Sequence, residues 1–149
     1  MVLTLQQPLI KDLRFVIGTL QIVLHLEKIT EHYTSTTNLL SDINLLETLI
    51  KDNVAKMLST SNELLKISLT LYLSFNLELA NKSDVLLSEI NYFHNITYKQ
   101  ILNEVSKEQG QKAQVEAQLI SIIRSAEKIS DSAISIIEQV NYIILGNSK

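Results

Sequence analysis

The chain has no cysteine, no tryptophan, one proline and three glycines among its 149 residues. Without cysteine, neither a disulfide framework nor a thiolate metal site can form. So few glycines and prolines cannot punctuate a β-rich or βαβ chain, which needs a tight turn about every ten residues. Clustered positive charge is also missing. The net charge is −3 and no Lys/Arg cluster occurs, so the phosphate backbone of a nucleic acid is not the expected partner. No apolar run approaches the ~18 residues of a membrane span, and Met1 is not followed by a basic region and an apolar signal core. A cytoplasmic chain without a membrane span is the expectation.

What remains is a chain that can bury a core. Its 46% hydrophobic content and mean hydropathy of +0.14 argue against disorder, and the length is that of one domain. The class expected is all-α, with four long antiparallel helices. Pro8 suits a first helical turn, and no breaker follows until Ser41-Asp42-Ile43-Asn44, which predicts a first helix over about 9–40. Gly18 inside it costs ~1 kcal/mol relative to alanine unless a neighbouring helix packs closely there. A second helix is predicted over about 46–80, and a turn at Asn81-Lys82-Ser83 precedes a third over about 84–106. The polar stretch around Gly110 leads into a fourth, about 112–145, ended by Gly146 as the left-handed C′ residue. Between Ile67 and Leu79 the apolar residues alternate with period two, a strand signal. With no turn residues at its ends and no second strand to pair with, that segment reads as a helix apolar on more than one face, carrying the stripe Leu65, Leu69, Tyr72 and Leu79.

Two near-copies, Leu26–Glu31 (LEKITE) and Ala126–Asp131 (AEKISD), sit in the first and last helices. The apolar stripe Leu13, Ile17, Leu20, Leu24 continues onto Glu27 and Glu31. The stripe through Ile120 and Ile123 meets Glu127 and Asp131 before Ile134. Each copy thus places an i, i+4 carboxylate pair on the face expected to turn toward the core. Buried bare, each ion costs several kcal/mol. A multivalent cation could bridge the pair, since oxygen-rich sites suit Mg, Mn or Fe. Ion pairing is the second compensation, with Arg124 before Glu127, Lys28 before Glu31 and Lys128 before Asp131. Simple exposure to water is the third.

The stretch from Gln7 to His32 resembles the signature of the PhoU family. Gln7-Pro8, Asp12-Leu13-Arg14 and Leu26-Glu27-Lys28-Ile29 match it, with Thr30 and Glu31 at its Gly and Asp positions and His25 where an Asp is usual. The second element is similar at Arg124, Glu127, Lys128, Ile129, Asp131, Ala133, Ile136, Glu138, Val140, Tyr142 and Gly146, and Val54, Met57 and Leu58 fit the start of the family's fourth helix. The resemblance implies two three-helix bundles in tandem, of which this chain would hold only part. Residues 1–44 would be the third helix of a shortened first repeat and 45–149 a complete second repeat, the orphan helix either closing a four-helix bundle or pairing with another copy of the chain. It further implies a non-enzymatic adaptor that restrains the phosphate-starvation response by contact with the phosphate ABC transporter ATPase and a sensor histidine kinase, with self-association as a dimer possible. Some members bind iron or zinc on acidic motifs. Carried over, the ligands would be Glu27 with Glu31 and Glu127 with Asp131, joined by Asp84 on the third helix, where Ala80 stands in place of the other acid.

Two rival readings stand beside it. A carboxylate-bridged di-metal enzyme needs Glu-x-x-His on two helices, yet Ile22, Ile29 and Asn91 precede His25, His32 and His94 at that spacing. The histidines then read as ordinary surface or boundary residues, and no nucleophile or phosphate-loop pattern occurs. The other rival is a shortened, degenerate remnant that serves only as a helical interaction module.

Overall fold

A computed structural model describes residues 2–40, 48–105 and 111–146. Among them lie four α-helices, α1 (Val2–Leu39), α2 (Thr48–Ser74), α3 (Ser83–Val105) and α4 (Gln111–Leu145), with a short 3-10 helix at Leu77–Lys82 before α3. No strand occurs among the described residues. The expected breakers at Ser41–Asn44 and around Gly110 lie outside the described residues.

Why α4 is the centre follows from its sequence. Leu119, Ile122, Ile123, Ala126, Ile129, Ala133, Ile136 and Val140 are all at most 1% exposed, and they form one broad apolar face. A face this broad can meet more than one neighbour, and α4 packs against α1, α2 and α3, while Arg124, Lys128 and Asp131 mark its exposed side. The second helix offers it a seam alternating steps of four and three: Ile50, Val54, Met57, Ser61, Leu64, Ser68 and Leu71, all buried. Leu65, Leu69 and Tyr72 of the expected stripe only flank that seam, half-buried. The third helix adds Ile90, Thr97 and Ile101 and runs antiparallel to α2, as Asn53 donating to Gln100 and Lys56 over the Phe93 ring show. Each fully buried aliphatic of this kind stabilises the fold by about 1.5–3 kcal/mol.

Where α2 crosses α4 the seam turns small and polar. The Ser130 hydroxyl donates to Ser61 Oγ at 2.9 Å, and both hydroxyls also reach the Ala126 carbonyl. Fully buried hydroxyls need such partners, and here each is supplied from within the crossing.

Two boundaries differ from the sequence expectation. The first helix starts at Val2, not at Pro8, because nothing in residues 2–7 breaks a helix; Pro8 falls in its second turn at the cost of one backbone bond. The second ends at Ser74 and not near Ala80, because Phe75 adopts the left-handed conformation (φ 53°) and its N–H caps the Leu71 carbonyl at 2.8 Å. Asn76 then starts the 3-10 helix, its side chain accepting from the Glu78 N–H. At the other end of the chain Gly146 behaves as expected, with φ 76° and its N–H on the Tyr142 carbonyl at 2.9 Å.

The first helix is the outlier. It runs antiparallel to α4, with Gly18 against Ile143, Arg14 beside Gly146 and His25 near Glu138. Between Leu9 and Leu39 its buried positions are Gly18, Ile22, Ile29 and Thr36. It touches α2 where Phe15 stacks on Tyr72 and Thr19 shares a 3.0 Å hydrogen bond with the Tyr72 hydroxyl. The stripe expected to face the core therefore points the other way: Leu13, Ile17, Leu20 and Leu24 are 41–59% exposed. The reason is Gly18. Only a helix face without a Cβ at that point can approach α4 so closely, and that face lies opposite the leucine stripe.

Candidate functional site

The acidic elements are built alike around a shared isoleucine. Ile29 and Ile129 are both buried, at 3% and 0% exposure, and each carries its carboxylates two residues before and two after. At that spacing the acids flank the buried side chain rather than share its direction.

In α1 the consequence is that both acids are exposed. Glu27 and Glu31 lie on the outer face with Val23 and Thr30, lining a shallow groove completed by Leu26. The expectation that these acids turn toward the core is corrected by the rotation of α1 onto Gly18 and Ile22. Every residue lining this groove comes from one helix, so it encloses no ligand.

In α4 the two acids part company. Glu127 is half-buried, and its Oε2 lies 3.7 Å from His94 Nε2 on α3, an ion pair whenever that imidazole carries its second proton. His94 is itself held by stacking on Tyr98, ring centroids 6.0 Å apart. Asp131 is exposed and accepts a 3.1 Å hydrogen bond from Lys128 Nζ. That bond and the carboxylate's charge raise the Lys128 pKa above its ordinary value. Asp131 thus departs from the inward placement expected of it, as both α1 acids do, and only Glu127 turns partly toward a neighbouring helix. Asp84 sits exposed in the first turn of α3, where a negative charge suits the positive end of the helix dipole. Ala80, where the resemblance expects a second acid, packs half-buried against the core.

A resident iron or zinc ion needs three or four converging donors. No group of three or more His, Asp or Glu that could hold a metal converges among the described residues. The carboxylates stand in twos at most, and Lys128 already occupies Asp131. The described residues do not fit a metal cluster.

Two features escaped the spacing rules. One is the His94–Glu127 contact, which joins residues far apart in sequence and has no local signal. The other is His25, which meets α4 with its Nδ1 buried and without a hydrogen-bond partner. Burial lowers its pKa below the ordinary histidine value and the Lys28 charge adds to the effect, while Glu138 opposes it.

Among the described residues no helix is long and apolar enough to cross a membrane. No curated relative and no solved structure matches the chain. The family model for the PhoU domain matches residues 54–140, a span that begins in α2, takes in α3 and ends near the C-terminus of α4, and includes Asp84, Glu127 and Asp131. With more than half of its length so matched, and with the all-α three-helix core that the match spans, this chain belongs to the PhoU family.

Proposed function

We propose that this chain is a regulatory adaptor of phosphate uptake that works by protein contact and not by catalysis. The observation that carries the reading is the PhoU domain match over 54–140, across the mutually packed α2, α3 and α4. Its partners on this reading are the phosphate ABC transporter ATPase and a sensor histidine kinase, reached in the cytoplasm. The charged side chains that remain on α3 and α4 support contact over chemistry. Glu127 and His94 face each other, Asp131 holds Lys128, and Asp84 sits in the first turn of α3.

The test is genetic. Removing the gene from its own cell should derepress the phosphate-starvation response in phosphate-rich medium, and a copy restored in trans should silence it again. A response unchanged by the deletion would overturn the reading.

A further inference from the structure

The face that α1 turns toward α4 is the less apolar of its two. It carries Arg14, Gly18, Ile22, His25, Ile29 and Tyr33, spaced by steps of four and three, and of these only Ile22 and Ile29 are large aliphatic side chains. Three of the others each bring a buried polar atom that has no hydrogen-bond partner among the described residues: Arg14 Nε, His25 Nδ1 and the Tyr33 hydroxyl. An unmet buried donor or acceptor costs the full desolvation of that atom, so part of what Ile22 and Ile29 contribute to the seat of α1 is offset within the same contact. The crossing of α2 and α4 is the opposite case, since the buried Ser61 and Ser130 hydroxyls both find partners there. We propose that α1 is a releasable strap on α4, a helix that lifts from its seat while α2, α3 and α4 stay packed, with the three unmet polar atoms setting how readily it lifts.

The rest of the molecule is built to stay behind. Proteins open first where few apolar side chains are buried and polar groups gain water by opening, and last in the shared core. That core is made by α2, α3 and α4 among themselves: Met57, Leu64, Ile90, Ile101 and Ile123 are all 0% exposed, and none of them lies on α1. On release, Arg14, His25 and Tyr33 each recover water for an atom that lacks a partner in the seated state. Beyond α4 the strap is tied to α2 through Tyr72, which stacks on Phe15 and shares a hydrogen bond with Thr19, so the end that carries His25, Ile29 and Tyr33 lies beyond this tie. Lifting bares the α4 side chains beneath, Ile143 among them, and the strap thereby gates access to that face.

The inference stands apart from the phosphate-regulation reading, and either can fail alone. Its test uses the full chain, which lacks cysteine, so that one introduced thiol reports on one place. Ile29 under the strap and Ile90 in the α3 core are 3% and 0% exposed, and Ile29→Cys and Ile90→Cys make the same change at each. Under native conditions an aromatic disulfide reagent reaches a buried thiol only when the structure around it opens. Ile29→Cys should react at least about tenfold faster than Ile90→Cys. Adding Tyr33→Phe removes one unmet atom and should slow the reaction of Ile29→Cys on the order of tenfold. Adding Ile101→Ala instead cuts into the core of α2, α3 and α4, and should speed Ile90→Cys on the order of tenfold while leaving Ile29→Cys as it was. Equal rates at the two thiols, a rate at Ile29→Cys that Tyr33→Phe does not slow, or one that Ile101→Ala raises as much as it raises Ile90→Cys would each overturn the proposal, since α1 would then open only with the whole fold or without regard to its unmet atoms.

Discussion

Phe75 shows how much one residue decides. It ends α2 in a conformation that costs a non-glycine residue roughly 1–2 kcal/mol, and its ring rests edge-on against Tyr72, 6.2 Å between centroids. Phe75→Gly and Phe75→Ala both lose that ring contact, but only alanine keeps the strain. Chemical denaturation should find the glycine variant more stable than the alanine variant by about 1 kcal/mol; equal stabilities would contradict the left-handed cap. His25 makes the second prediction at this scale. Its folded pKa lies below the ordinary value, so the fold favours the neutral imidazole. As pH falls below about 6.5 the unfolded chain takes up this proton first, and stability drops until the folded pKa is passed. Melting curves from pH 8 to pH 5 should therefore fall more steeply for the wild type than for His25→Gln. Equal slopes would show that burial does not shift this group. The two residues also mark what a sequence reveals about ends and faces. Gly146 was legible as a cap because glycine is the residue type that accepts the left-handed region freely. Phe75 in the same role was not, because nothing in its chemistry favours it.

At the scale of the helix, α1 is the instructive case. It has apolar residues on two faces, and hydrophobic periodicity alone cannot say which of them meets the core. The leucine stripe has the larger side chains and reads as the inner face, yet Gly18, Ile22 and Ile29 are the residues buried on α4. The signal that could have decided was Gly18, a costly residue in mid-helix that close packing explains. A Cβ added there would collide with Ile143. Gly18→Ala should therefore destabilise the chain by about 1–3 kcal/mol through displacement of that side chain. In an Ile143→Ala background the sign should reverse, because the collision is gone and alanine gains ~1 kcal/mol of helix propensity over glycine. A double-mutant cycle without coupling would show that α1 does not sit on α4 at this point. The acidic elements teach a similar lesson in α4, where Glu127 and Asp131 belong to one helix but to different environments. Elemental analysis of protein purified without chelator should find the same metal content in the wild type and in Glu127→Ala/Asp131→Ala. A stoichiometric metal lost in the double variant would contradict the two-donor geometry.

For the whole molecule, the all-α class followed from the shortage of glycine and proline, and the helix count from the runs between breakers. Not legible was the asymmetry of the assembly, in which α4 packs against each of the other three helices while α1 leaves one apolar face uncovered. Each helix has its own periodicity, but which helix is central depends on contacts between distant residues such as Ser61 with Ser130 and Gly18 with Ile143. The PhoU domain match spans the mutually packed α2, α3 and α4 and carries the functional reading. Its claim is that the chain acts by touching the machinery of phosphate uptake. Chemical crosslinking in the cell of origin, followed by purification of this chain and mass spectrometry of what is joined to it, tests that claim most directly. The transporter ATPase or the sensor histidine kinase should be recovered with crosslinks to surface lysines of α2, α3 or α4 such as Lys56, Lys66 and Lys128. Recovery of neither protein, from cells where both are present, would contradict it.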